Sequence, residues 1–171
     1  MPAASWTIGP FREGDLPEIL ILEREAFCTP WSEAQFRQEL SLSLSTILVA
    51  RSGEGKGFSL LGYLVYWLVC DEMHLQDIAV RSEQRRQGIA SGLLAAALRQ
   101  ARIKGARQAT LEVRQTNQAA QGLYEAFGFT LSGRRKGYYS DRNEDALIYW
   151  ANLDITGDSG RSPERVRRKH D

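Results

Sequence analysis

Apolar positions along the chain repeat at either helical or strand spacing, and the changes of period divide it into elements. Leu16, Ile19, Leu20, Leu22, Ala26 and Phe27 recur at helical spacing behind Gly14-Asp15, an N-cap-like start, and predict a first helix. Cys28-Thr29-Pro30-Trp31-Ser32 interrupts that pattern. Ser32 followed three residues later by Gln35 is a capping box, which opens a second helix through about Leu40. Two helices therefore meet at a short Pro-Trp elbow. Before them, Trp6 to Phe11 alternates weakly.

Ser45 to Arg51 and Leu60 to Cys70 are rich in β-branched, aromatic and leucine residues and flank a Gly53-to-Gly57 loop, so they should form an antiparallel pair. His74 to Val80 supplies the next strand, and the amphipathic stretch Leu93 to Ile103 a helix stopped by Gly105 at a C′ position. A strand at Gln108 to Arg114, a helix at Asn117 to Ala126 and strands at Gly128 to Arg134 and Asp145 to Leu153 follow. Strands alternate with helices only in this second half. The expected fold class is α/β: a mixed central β-sheet, antiparallel in its N-terminal strands, with one parallel crossover, flanked by helices. Residues 1–153 should make a single domain. From Asp154 the periodicity collapses, and residues 154–171, with Arg161, Arg165, Arg167, Arg168 and Lys169, are expected to be a disordered basic tail.

Composition narrows the function. A length of 171 residues with 43% hydrophobic composition suits one ordinary domain with a real core. With 22 basic against 21 acidic residues and a net charge of +1, no global field recruits nucleic acid or an anionic membrane. Any basic site must be local. Leu60 to Cys70 is too short to span a bilayer and the N-terminus shows no signal peptide, so a cytoplasmic protein is expected. Cys28, Cys70, His74 and His170 lack metal-like spacing, and no metal is expected.

One local site stands out. Arg85-Arg86-Gln87-Gly88-Ile89-Ala90 lies between the strand ending at Val80 and the long helix. A helix opening exposes N–H groups without intrahelical acceptors and carries partial positive charge, so it suits an anion. Arg85 and Arg86 add full charges, and Gly88 lacks the Cβ that would keep a pyrophosphate from the backbone. The turn is neither a Walker loop nor a complete GxGxxG fingerprint. On these residues alone it reads either as a solvated loop or as a phosphate site.

QDIAV at 76–80, RRQGIA at 85–90, LEVRQTN at 111–117 and GLYEAFGF at 122–129, in this order, resemble the GNAT family of acetyl-CoA-dependent N-acetyltransferases over residues 6 to about 153. Arg85-x-x-Gly88-x-Ala90 fits the family's pyrophosphate loop. AFCTPWSEAQF at 26–36 and RRKGYYSDRNEDALI at 134–148 are similar to the family's RimI-type branch, which acetylates the N-terminal alanine of a small-subunit ribosomal protein. Cys28-Thr29, inserted before Pro30-Trp31, departs from that branch at the elbow.

The resemblance implies the GNAT fold, with acetyl-CoA as cosubstrate lying against Ile78, Ala79 and Val80. It assigns the cofactor's pyrophosphate end to Arg85, Arg86, Gln87, Gly88, Ile89, Ala90 and Ser91, and a further contact to Asn117. It makes Glu112 the general base and Tyr124 the general acid. Read from the residues alone, Glu112 is equally a surface acid paired with Arg107 or Arg114, Tyr124 a core aromatic, and Asn117 an N-cap. Neither cysteine shares a motif with a histidine, so direct attack by a bound amine is expected in place of an acyl-enzyme. Acceptor binding should fall to Pro30, Trp31 and Ser32 in the elbow and to Tyr138 and Tyr139 in a late loop. The implied partner is a protein N-terminus, with no membrane and no nucleic acid required, although the basic tail offers ribosomal RNA a contact. Other N-termini, lysine side chains, small amines and a non-catalytic acetyl-CoA or ribosome binder are the alternatives.

Overall fold

The computed structural model describes residues 6–53 and 58–154. The expected basic tail beyond Asp154 and residues 54–57 of the Gly53-to-Gly57 loop lie outside the described residues. Those described fold as β1 (Trp6–Pro10), α1 (Leu16–Ala26), α2 (Glu33–Ser41), β2 (Ser45–Ser52), β3 (Ser59–Val69), β4 (Glu72–Val80), α3 (Ile89–Ile103), β5 (Gln108–Arg114), α4 (Gln118–Ala126), β6 (Thr130–Tyr139) and β7 (Glu144–Asn152). The strands make one mixed sheet in the order β1-β2-β3-β4-β5-β7-β6. All neighbours are antiparallel except β4 and β5, the parallel pair joined through α3.

Three of the signals in the sequence act as expected. The Ser32 hydroxyl accepts from the Gln35 N–H while the Gln35 side chain accepts from the Ser32 N–H, closing the capping box on α2. Gly105 sits at φ +98°, and the Gly105 and Ala106 N–H groups bond back to the Arg102 and Ala101 carbonyls, a complete Schellman ending for α3. Asn117 caps α4 by accepting from the Ala120 N–H at 3.2 Å. Asp15 behaves differently. It makes no side-chain cap for α1; it is fully buried and binds the Arg51 guanidinium and the Arg12 N–H instead. A full guanidinium charge outcompetes a helix N–H for the same carboxylate.

β3, in the middle of the sheet, is buried over most of its length, which is why it reads as a continuous apolar run and not an alternating one. On one face Leu93, Leu94, Ala97 and Leu98 of α3 pack with Tyr124, Leu111 and Val113. On the other, Leu16, Ile19 and Leu22 of α1 and Phe36 of α2 cover Ile47, Val49, Tyr63 and Val65. β6 is one of the two edge strands, exposed almost throughout and carrying Arg134, Arg135 and Lys136. Charge on an unpaired edge discourages pairing with another chain.

The feature that positions the site is a split in this sheet. β4 pairs with β5 only from Glu72–Gln108 to Leu75–Leu111. Past that point β4 stays bonded to β3 through Val80, and β5 to β7 through Arg114. The two halves of the sheet thus remain intact while a wedge opens between them, leaving one backbone edge of residues 76–80 without a neighbouring strand. Gly62 sets the seat of this edge: a Cβ there would stand 2.7 Å from the Ala79 carbonyl oxygen. Gly62→Ala is therefore expected to cost about 1–3 kcal/mol by overpacking, read from urea unfolding. A loss of less than half that would show that β4 moves aside freely.

Candidate active site

A cavity of about 850 Å³ fills the wedge. Ile78, Ala79 and Val80 form one wall, Arg85, Arg86, Gly88, Ile89, Ala90 and Ser91 another, and Asn117 and Tyr124 a third. These residues, marked in the sequence, come together in space. Gln87 is not among the lining residues, and its amide reaches the Glu83 carbonyl at 3.5 Å. The lining also contains Gln84, Gln118 and Ala119, and it reaches Ala26 and Phe27 at the end of α1. It therefore runs from the α3–α4 face of the sheet to the α1 face.

The turn at its mouth is shaped by backbone conformation. Arg86 adopts φ +62° and Gly88 φ +79°, and Gly88 is the N-cap of α3 without a capping side chain. The first intrahelical bond runs from the Gly92 N–H to the Gly88 carbonyl. The N–H groups between them have no intrahelical acceptor, and two guanidinium groups stand beside them. Nothing lies within 4 Å of where a Gly88 Cβ would be, so the approach to these amides is open.

Glu112 projects from β5 on the face opposite Leu111 and Val113, as its alternation requires. Its ion-pair partner is Arg135 of β6, with Nε 3.2 Å from Oε1, and neither Arg107 nor Arg114. Arg114 is engaged elsewhere, by Asp141 at 2.9 Å and Glu144 at 3.2 Å. Tyr138 and Tyr139 do not lie in a loop. They end β6, which continues past Arg134 and, after a register shift beyond Arg135, pairs Tyr139 with Glu144. The two rings meet edge to face at 5.1 Å; the Arg114 guanidinium stacks 4.0 Å over Tyr139 and that of Arg135 lies 5.4 Å from Tyr138. Burial pushes the Tyr139 hydroxyl up to about 12, against the nearby Arg114 charge, so it is a neutral donor at any physiological pH. Tyr124 is buried, and burial first and the negative charge of Asp77 second raise its hydroxyl above the ordinary tyrosine range.

The matches to known proteins agree with this geometry. Residues 16–129 match the model of the acetyltransferase (GNAT) family. The chain belongs to the GNAT acetyltransferase family. An Escherichia coli K12 protein named as a [ribosomal protein bS18]-alanine N-acetyltransferase is 33% identical over 144 residues, 83% of this chain and 94% of its own. A Bacillus subtilis protein carrying the same name provisionally is 35% identical over 139 residues, 81% of this chain and 90% of its own. The crystal structure of the Escherichia coli ribosomal-protein-S18-alanine N-acetyltransferase superposes with a TM-score of 0.78 at 29% identity, covering 92% of this chain and all of that one. Ard1 from Thermoplasma volcanium, at 24% identity and a TM-score of 0.78, shares the fold.

The residues of this GNAT protein fit the family's cosubstrate, acetyl-CoA. An open cradle of amides with two guanidinium groups suits a pyrophosphate, and an unpaired strand edge beside it suits a chain of amides. No helix among the described residues is long and apolar enough to cross a membrane.

The elbow is anchored to a group that the sequence reading passed over. The Trp31 N–H donates to Glu23 Oε1 at 2.7 Å, and the Trp31 ring packs on Phe36 at 5.3 Å. Glu23 is buried, its other oxygen takes the Tyr63 hydroxyl, and that hydroxyl lies 3.0 Å from Asp77 Oδ2. Burial, with Glu23 as a second negative charge, pushes the Asp77 carboxyl from 3.8 up to about 8. Glu23 is raised as well, chiefly by burial. An acid inside the apolar run Leu75 to Val80 was the available signal for this cluster. Because the folded state holds this proton more tightly than the unfolded chain, its contribution is fully present below about pH 4 and fades as pH rises through about 8. Urea midpoints of the wild type are expected to fall relative to Asp77→Asn across that interval; parallel curves would mean that Asp77 ionises normally.

Proposed function

We propose that this GNAT protein transfers the acetyl group of acetyl-CoA to the α-amine of a protein N-terminus, most specifically the N-terminal alanine of ribosomal protein bS18. The observation that carries the reading is the cavity in the β4–β5 wedge, with the cationic α3 terminus at one end and Ala26 and Phe27, which lead into the Pro30-Trp31-Ser32 elbow, at the other. The names of the 33–35% identical relatives supply the acceptor.

Ile78, Ala79 and Val80 hold the pantetheine arm through their free backbone edge. Arg85, Arg86 and the amides of Gly88 to Ser91 hold the pyrophosphate, with Asn117 beside them. The cosubstrate supplies a thioester carbonyl whose thiolate is the leaving group. Glu112 takes a proton from the attacking nitrogen through a water molecule, a modest task because an α-amine has a pKa of about 7.7–8.0. Tyr124, kept neutral by burial, gives its proton to the departing sulfur. Pro30, Trp31, Ser32, Tyr138 and Tyr139 border the acceptor, and the ion pairs of Arg114 and Arg135 fix the tyrosines relative to Glu112.

The test is to incubate the protein and acetyl-CoA with peptides of differing N-termini, each with an internal lysine, and to locate the acetyl group by fragment mass spectrometry. Acetylation at the N-terminal nitrogen, fastest on the bS18 sequence, is expected. Acetyl found only on lysine would overturn the assignment.

A further inference from the structure

Glu23 and Tyr63, both buried, and the half-buried Asp77 form a cluster to which the proposed chemistry gives no work. Asp77 stands two residues past the last β4–β5 pair, on the same face of β4 as Ala79; its neighbours Ile78 and Ala79 line the cavity, and Asp77 lies just behind that lining. Glu23 binds the elbow N–H. The charged and titratable groups that face Asp77 are Glu23 from α1, Tyr63 from β3 and Tyr124 from α4. Tyr63 has a single hydroxyl proton and touches two carboxylates, so it donates to one and accepts from the other only when that one is protonated.

The overall reaction has room for such a group. An α-ammonium nitrogen carries three protons and the amide it becomes carries one, so two N–H bonds break. One proton ends on the departing sulfur and the other is released to water. We propose that Asp77 is a second proton acceptor of the reaction, its ionised carboxylate taking one proton from the acceptor's α-ammonium through water, with Tyr63 and Glu23 behind it as the groups that hold and tune it. This rests on the amine acceptor of the proposed function. As the N–H bond breaks an O–H bond forms on Asp77, and the freed electron pair attacks. Glu112 takes the second proton through water as the C–N bond forms and the C–S bond breaks, and that proton replaces the one Tyr124 gives to sulfur. Asp77 returns its proton to water, closing the balance. A carboxyl raised to about 8 matches an α-amine of about 7.7–8.0, the condition for efficient transfer near neutral pH.

The experiment measures kcat/KM against pH for the full chain with one alanine-starting peptide, so that the peptide's own titration is common to every curve. Wild type, Asp77→Asn, Glu23→Gln and Tyr63→Phe are compared, and the Asp77 carboxyl of the wild type is titrated by carbon-13 NMR without substrates. Asp77→Asn is expected to lower kcat/KM about 10²-fold with acetyl-CoA affinity unchanged. Removing the Glu23 charge should move the acid limb to lower pH, and removing the Tyr63 hydrogen bond should move it to higher pH. The carboxyl signal should titrate far above the ordinary carboxylate range. Wild-type turnover in Asp77→Asn, an acid limb unmoved in both tuning variants, or an ordinary carboxyl titration would each overturn the proposal. If Asp77→Asn fails to fold, the opposite shifts of the other two decide it. A wild type inactive on every peptide N-terminus overturns the proposed function first, before any variant is compared.

Discussion

Glu112→Gln is expected to lower kcat about 10²- to 10⁴-fold, the range for losing a positioned proton acceptor, while acetyl-CoA binds as before. Glutamine keeps the size of the side chain and an oxygen for Arg135 Nε, so the β5–β6 contact and the Tyr138 seat survive. The cavity lining does not include Glu112, which is why cosubstrate affinity should not follow the rate. Rapid-quench turnover with an alanine-starting peptide and calorimetric titration of acetyl-CoA separate the two quantities. Equal loss of rate and affinity would mean that the substitution disturbs β5 and not the chemistry.

The largest effect on stability is expected at Arg51. Its guanidinium donates through Nε and Nη2 to Asp15, and Nη2 also reaches the Pro10 carbonyl at 2.9 Å, so one side chain ties β1, the entry to α1 and β2 together. Side-chain exposure is 7% for Arg51 and zero for Asp15. Arg51→Ala strands a buried carboxylate with only the Arg12 N–H for company, and a loss of about 3–5 kcal/mol is expected from urea unfolding. That is a large share of the roughly 5–15 kcal/mol typical of a domain. Replacing Asp15 and Arg51 together by leucine should cost less than Arg51→Ala alone, because no charge is then left behind. A double replacement worse than the single would show that the pair is favourable in its own right.

Local chemistry explains what could be read in the sequence. Ser32 with Gln35, Gly105 and Asn117 act through partners three to five residues away, and a short window contains all of their bonds. One wall of the cavity was legible for the same reason, since Arg85, Arg86 and Gly88 to Ser91 form it from one turn. Asp15 shows the limit: its local role as a cap lost to Arg51, 36 residues on. Arg135 reaches Glu112 because β7 lies between β5 and β6, an order that no spacing in the sequence contains. The course of β6 was hidden by exposure. With almost every residue on the surface and Gly137 at φ +60°, the segment has no alternation to read. Glu23, Tyr63 and Asp77 sit on three elements, and only the hydrogen bonds of the Tyr63 hydroxyl make them a group.

The cavity lining takes in α3 and α4 on one face of the sheet and Ala26 and Phe27, at the end of α1, on the other. In the proposed reaction the acetylated chain can withdraw by one side while the spent thiol leaves by the other. On that reading neither product bars the exit of the other, and turnover imposes no order of departure.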